Sequence, residues 1–318
     1  MNKVELSIVV PGYNEAGAIE SNLKQLHAAV RALSVSFEIL FVDDGSTDNT
    51  FEIVDNLKKQ LHELNVISYK HNKGRGYALR QGISAAAGNF IITTESDLTW
   101  GADIVGRLYN AIKDRNCDAV IASPYMKGGQ LKNVPFVRAM LSVWGNKLLA
   151  AAVGNTVHMV SGMTRIYRRE CVKSLCLHSN DKEIHLEIMS KILALEYAVA
   201  EIPAILAWPQ KDKRKKTVRG ASFTAKKYIF SHLVFTFLER PILLFGALGV
   251  IISLAGAGLG AYLAYLRFMG ILNPTRPLMT LMTLMVLGGI LLFSFGLIGL
   301  QINDLRKEIY RIQRKLNE

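Results

Sequence analysis

The sequence predicts an α/β domain followed by a two-helix membrane hairpin, and three observations carry that expectation. From Val4 to about Pro203, short apolar runs alternate with segments of helical spacing, the pattern of a parallel sheet covered by helices on both faces. After Pro241 come two uncharged stretches, each at least as long as the ~20 apolar residues a bilayer-spanning helix needs. Half of the 318 residues are hydrophobic, mean hydropathy is positive, and the apolar residues gather toward the C-terminus.

Taken in order, LSIVV (6–10), FEILFV (37–42), NVISY (65–69), FIITT (90–94) and CDAVIA (117–122) read as strands. Between the first two, Ile19, Leu23, Leu26 and Val30 recur at helical spacing. Ligands in such sheets bind outside the carboxyl ends of the strands, so the residues after each run are the candidates for chemistry. The first uncharged stretch covers the 25 residues between Pro241 and Arg267, and the second runs from Pro277 to Asn303. They place membrane helices at about 242–266 and 278–302.

The division that follows is a catalytic domain over 1–220, an interfacial amphipathic region over 221–240, the two membrane helices within 241–302, and an amphipathic tail over 303–318. In the interfacial region Lys226 and Lys227 stand beside Tyr228, Phe230, Phe235 and Phe237. The tail repeats Leu305, Ile309, Ile312 and Leu316. Basic residues flank the outer ends of the hairpin, while its link holds only Arg267 and Arg276. The positive-inside rule then predicts an integral membrane protein with both termini and the catalytic domain cytoplasmic. Gly256 and Gly260 give a spacing suited to close helix contact within the hairpin, with a homo-oligomer as the other use.

Net charge is +12, and Lys211 to Lys227 holds eight basic residues against Asp212 alone. A nucleic-acid binder would spread its basic residues along a groove with stacking aromatics, so no nucleic-acid partner is expected. A cluster just before an apolar span points to anionic lipid or phosphate instead. Cys117, Cys171 and Cys176 show no ligand spacing and read as reduced thiols. The apolar run Leu6 to Val10 is too short for a signal peptide.

PGYNE places Pro11, Tyr13, Asn14 and Glu15 after the first strand, and VDDGSTD places Asp43, Asp44, Ser46 and Asp48 after the second. Both sets converge on one edge of the sheet. Turn and capping chemistry explains Gly45, Ser46 and Asp48 but not the adjacent Asp43 and Asp44, which suit a nucleoside's base N–H groups and ribose hydroxyls. In HNKGRGYALRQG, Asn72, Gly74, Arg75 and Gly76 open a helix whose N–H groups and dipole favour phosphate. A plain helix start fits that glycine pattern equally well. FIITTESDLTW ends on Glu95 and Asp97, on the same side of an extended backbone. Paired carboxylates there suit Mg²⁺ or Mn²⁺ bridging a diphosphate, against the blander alternative of solvated helix-capping acids.

The motifs PGYNE, VDDGSTD, NKGRGYALRQG and SDL, followed by RIYRREC and KEIHLEIMSKILALEYAVAEIP, resemble in order and spacing the inverting GT-A glycosyltransferases of family 2. Within that family the resemblance is to the polyprenyl-phosphate hexosyl synthases, the group of the dolichyl-phosphate mannose synthases. It implies a Rossmann-like GT-A domain in which Pro11, Tyr13, Glu15 and Asp43 or Asp44 hold the nucleotide, with Asn72, Gly74 and Arg75 nearby. It implies that Asp97 binds the metal with help from Glu95. Arg138 and Arg165 would face the lipid phosphate or the donor diphosphate, and Glu183 and Glu187 would lie on the helix beside the acceptor. Lys216, Arg219 and Ser222 would belong to a basic loop near the lipid headgroup.

The sequence departs from the family at four places. Glu95 stands where Asp is usual, Thr99 where Gln is frequent, Pro124 near a usual arginine, and Phe223 at the basic loop's lysine. The activity implied is transfer of mannose or glucose from GDP-mannose or UDP-glucose to dolichyl or undecaprenyl phosphate. An ionised phosphate nucleophile needs no strong general base, and His71, His158, His178 and His185 read as structural. A processive polysaccharide synthase is disfavoured by the absence of a QxxRW sequence. A membrane-anchored, catalytically inactive sugar-nucleotide scaffold is the alternative from another class, kept by the altered positions 95, 99 and 124.

Overall fold

The computed structural model describes residues 4–152, 157–208, 241–270 and 276–317. The chain divides into two compact units, one of residues up to 229 together with Tyr310–Glu318, the other of Phe230–Ile309.

The first unit is built on seven strands: β1 (Leu6–Gly12), β2 (Phe37–Asp43), β3 (Leu64–Ser68), β4 (Phe90–Thr93), β5 (Ala119–Ser123), β7 (Arg165–Arg168) and β8 (Val199–Pro203). Their order is β3-β2-β1-β4-β7-β5-β8. β1 pairs in parallel with β2 and β4, β2 with β3, and β5 with β8. The expectation of an all-parallel sheet is corrected by β7, which runs antiparallel to both β4 and β5. Arg165 at its start pairs with Thr93 and Ile121, so β7 begins at the carboxyl edge where β5 ends. The chain therefore leaves β5 after Ser123 and re-enters the sheet at Arg165 on the same edge.

Every residue of β1 is buried, as a strand covered on both faces requires. On α1 (Ile19–Arg31) the residues Ile19, Leu23, Leu26 and Val30 form the buried stripe. On the opposite face, Leu79 and Ile83 of α3 (Arg75–Ala85) and Ile188 and Ile192 of α7 (Ile184–Ala194) share one apolar cluster with Val9, Val42 and Tyr167. Tyr310 packs on that cluster. Helices α2 (Thr50–Lys58), α4 (Ile104–Arg115), α5 (Phe136–Ala152) and α6 (Arg169–Lys173) complete the unit. Two short strands, β6 (Gln130–Lys132) and β9 (Ile205–Ala207), pair separately.

The second unit holds a π-helical turn, Ile242–Gly246, then α8 (Ala247–Phe268) and most of α9 (Arg276–Asn317). Both helices are long and apolar enough to cross a membrane. Small residues let them approach: a Cβ on Gly249 would lie 2.5 Å from the Gly289 carbonyl, and one on Gly256 2.9 Å from Met285. The tail read as a separate amphipathic helix is instead continuous with the second span, since no proline interrupts the chain after Pro277. The interfacial region 221–240 and the basic run from 211 to 227 lie outside the described residues.

Candidate active site

The carboxyl ends of β1, β2 and β4 open onto a cleft of about 220 Å³. Pro11 lines it from the end of β1, Tyr13 and Glu15 from the loop that follows, Asp44 from just after β2, Arg75 from the start of α3, and Glu95, Ser96 and Asp97 from the loop after β4. The first two loops are stapled together. Asn14, at φ 57°, accepts from the Thr47 amide at 2.8 Å, while the Glu15 amide donates to Thr50 Oγ1 at 2.8 Å and the Ala16 amide to Asp48 at 3.2 Å.

Asp43 and Asp44 are both buried, and their oxygens are used inside the protein. Asp43 accepts from the Ser46 amide at 3.2 Å and from Ser68 Oγ at 2.9 Å, beneath the cleft. Asp44 accepts from Tyr69 Oη at 2.7 Å and from the Lys73 and Gly74 amides at 2.9 and 3.1 Å. Burial, then the bond to Asp44, raises the Tyr69 pKa, so its hydroxyl stays a donor.

The start of α3 is closed by protein. The Gly76 and Tyr77 amides donate to the Asn180 carbonyl at 2.6 and 3.1 Å. A Cβ on Gly76 would stand 2.6 Å from the carbonyls of Ser179 and Asp181, and Gly74 adopts φ +95°. Close approach of the 178–181 loop therefore explains these glycines, and the plain helix start replaces the phosphate reading. Of that motif only Arg75 reaches the cleft, with Nη1 3.7 Å from Glu95 Oε1.

Glu95 and Asp97 are held differently. Glu95 Oε2 accepts from Thr99 Oγ1 at 2.9 Å and from Trp100 Nε1 at 3.2 Å. Asp97 is exposed and accepts from the Thr99 amide at 3.1 Å. Asn22 anchors the loop by donating to the Ser96 carbonyl at 2.8 Å. Burial, then the negative charge of Asp97, raises the pKa of Glu15. Glu15, Glu95 and Asp97 thus share a cleft in which Arg75 is the one lining cation among the described residues. That excess of negative charge is what a divalent cation would relieve. Among the described residues no group of three or more His, Cys, Asp or Glu forms a ready cage. Two carboxylates completed by substrate phosphates is the ordinary arrangement for Mg²⁺, so the residues present fit such an ion.

Other expected residues lie elsewhere. Arg165 is fully buried and donates to the carbonyls of His185 at 3.1 Å and Val160 at 2.5 Å. It points into the core from β7, which corrects its assignment to a phosphate. His185 is buried beside it, and burial, then the Arg165 charge, lowers its pKa and keeps it neutral. Glu187 accepts from the His178 and Ser179 amides at 2.9 and 2.8 Å and from Lys191 Nζ at 2.7 Å. It shapes the loop that closes α3 and makes no approach to the cleft. Glu183, half-buried, stands at the N-cap position of α7 without a side-chain capping bond, and Asn72 is exposed beside the Asp44-bound turn. Arg138 belongs to α5, but its side chain, like all of Lys216, Arg219 and Ser222, lies outside the described residues.

Sequence reasoning passed over Ser96 and Met163, which line the cleft, and Trp100, which holds Glu95. A signal existed for the last interaction. Positions 95 and 99 both depart from the family pattern, and they are hydrogen-bonded to each other.

Residues 7–176 match the model of glycosyl transferase family 2. The chain belongs to that family. A family 2 glycosyltransferase, it has the GT-A fold. A dolichol-phosphate mannosyltransferase from Pyrococcus furiosus is 29% identical over 191 residues, covering 59% of this chain and 53% of that protein. This family 2 chain thus spans about half the length of that curated relative. A glucosyl-3-phosphoglycerate synthase from Mycobacterium tuberculosis, solved with Mn²⁺, UDP and phosphoglyceric acid, matches 73% of this chain and 78% of its own at a TM-score of 0.53 and 19% identity. A mannosyltransferase from Pyrobaculum calidifontis, solved with GDP-mannose and Mn²⁺, matches 96% of this chain and 88% of its own at a TM-score of 0.51 and 19% identity. At such identities these structures share the fold.

Proposed function

We propose that this glycosyltransferase moves a hexose, mannose or glucose, from GDP-mannose or UDP-glucose to a polyprenyl phosphate, with inversion at the anomeric carbon. The observation that carries this reading is the carboxylate pair Glu95 and Asp97, short of protein donors and facing Glu15 across the cleft. Likeness to a dolichol-phosphate mannosyltransferase supports the acceptor class. Two apolar helices support an acceptor that stays in a bilayer.

A lipid phosphate oxygen bonds to the anomeric carbon as the bond from that carbon to the nucleoside diphosphate breaks, and the electron pair leaves with the diphosphate. The nucleophile is already ionised near neutral pH, which suits a cleft without a general-base histidine among its lining residues. Mg²⁺ or Mn²⁺, when bound, supplies positive charge to the departing diphosphate. Asp97 and Glu95 would hold it. Arg75 adds a fixed cation on the same side, and Thr99 and Trp100 keep Glu95 from turning away. Basic residues flanking the outer ends of the two apolar helices support a topology with both termini and the catalytic unit on the cytoplasmic side.

The test is a transfer assay with purified full chain in detergent, Mg²⁺ or Mn²⁺, a polyprenyl phosphate and a panel of labelled nucleotide sugars. Label from one donor should enter the organic phase and stop entering when EDTA is added. Label that reaches only water or a soluble acceptor would sink the lipid acceptor.

A further inference from the structure

The end of α9 belongs to the first unit, which includes Tyr310–Glu318. The apolar repeat of the tail is not what docks there. Ile309 and Ile312 are exposed, while Tyr310, the single aromatic residue between Asn303 and Glu318, packs on the cluster shared by α3, α7 and β7. Two polar contacts flank its ring: Arg311 donates to Glu196 at 3.1 Å, and the Arg314 guanidinium lies 5.0 Å from the Tyr197 ring centre.

What the Tyr310 ring covers is a buried charge. Lys191 of α7 is only 4% exposed, and its Nζ lies 5.2 Å from the ring centre, within the ~6 Å reach of a cation–π contact. The same Nζ donates to Glu187 at 2.7 Å and to the Cys176 carbonyl, so an ammonium with three donors has two oxygens and one aromatic face as neighbours. From there a run of contacts leads to the cleft. Glu187 accepts from the His178 and Ser179 amides, at the start of the 178–181 loop. The Asn180 carbonyl of that loop receives the Gly76 and Tyr77 amides, and Arg80 donates to the Leu177 carbonyl at 3.2 Å and to the Asn180 side chain. Arg75, the residue before Gly76, lines the cleft.

We propose that Tyr310 is a positioning residue for the donor side of the cleft: its ring caps the Lys191 ammonium and so, through Glu187 and the 178–181 loop, holds the start of α3 and Arg75 in place. The inference rests on the reading of the cleft as the seat of a nucleoside diphosphate. The physical reason is desolvation. Where the ring excludes water, Lys191 and Glu187 attract each other across a medium of low dielectric; where water enters, that attraction weakens and the loop loses its anchor.

The test is hydrogen exchange of purified full chain in detergent. Wild type is compared with Tyr310→Phe, which keeps the ring, and with Tyr310→Leu, which keeps an apolar side chain on the cluster but removes the aromatic face. Tyr310→Leu should speed exchange about tenfold in peptides covering 74–80 and 177–183 while α1, on the opposite face of the sheet, stays as it was. Tyr310→Phe should match the wild type. In the transfer assay Tyr310→Leu should raise the KM for the nucleotide sugar about tenfold and leave that for the polyprenyl phosphate unmoved. Unchanged exchange over 74–80 overturns the proposal. A rise in exchange everywhere, α1 included, overturns it too, since the ring would then add only general stability. Equal effects of Tyr310→Phe and Tyr310→Leu, or a KM change confined to the lipid, are likewise contrary to it. Absence of transfer from every donor defeats the proposed function by itself, and exchange still decides the role of Tyr310.

Discussion

Asp43 and Asp44 at the end of β2 accept five hydrogen bonds between them, whereas Glu95 and Asp97 after β4 accept three and open onto a cleft shared with Glu15. In the sequence the two places look alike, a buried strand running into two acids. In the fold they differ in what surrounds the carboxylates. Donors from Ser46, Ser68, Tyr69 and the 73–74 turn engage the first pair, so those acids brace the loops at the carboxyl edge of the sheet. The second pair keeps lone pairs to spare in a cleft shared with Glu15, which suits it to accept a cation. A carboxylate's role thus follows from its supply of donors rather than from its position in the motif.

The sharpest way to break this contrast is Asp97→Ala. Loss of the ligand for a charge-stabilising cation removes several kcal/mol of transition-state stabilisation, so transfer should fall about a thousandfold or more. Stability should stay within about 0.5 kcal/mol of wild type in a denaturant titration, as for an exposed residue. Asp44→Ala should invert that pattern. It orphans the Tyr69 hydroxyl and two amides, and stability should drop by about 3 kcal/mol. Unchanged stability there would show that Asp44 is free for ligand after all.

A finer cut lies inside the second pair. Thr99→Val removes one of the two donors that fix Glu95 and should weaken Mn²⁺ binding about tenfold, read by titration calorimetry, with the melting temperature nearly unmoved. Smallest is the effect at Glu187. Burial pushes its pKa up, but Lys191 and the Ser179 and His178 amides outweigh that and hold it below 4.5. A depressed folded pKa means stability that is present above about 4.5 and lost as pH falls through the folded value. Glu187→Gln should cost about 1 kcal/mol at neutral pH and lose less on acidification than wild type, as thermal melts across pH would show.

Much of the fold could be read in advance because its signals are local. The stripe Ile19, Leu23, Leu26 and Val30 and the five apolar runs lie where their periodicity puts them. β7 could not be oriented, because a four-residue strand takes its direction from pairing with β4 and β5, far away in sequence. Arg165 misled for the same reason, since only the finished sheet shows that its side chain turns inward to the carbonyls of Val160 and His185. The glycines at 74 and 76 were visible, but the 178–181 loop that closes over them arrives from another part of the chain. That Glu95 and Asp97 reach the cleft was legible because the loop after β4 leaves the sheet at its carboxyl edge, and the bond that ties Glu95 to Thr99 was foreshadowed by two departures falling together.

The most direct test of the account is Mn²⁺ binding to the purified full chain in detergent, followed by electron paramagnetic resonance with UDP or GDP present. The wild type should take up Mn²⁺ in a nucleotide-dependent way and Asp97→Ala should not, while Asp43→Asn, whose carboxylate lies beneath the cleft, should bind as the wild type does. Undiminished binding in Asp97→Ala, or loss confined to Asp43→Asn, would contradict the account and move the metal site to the other strand end.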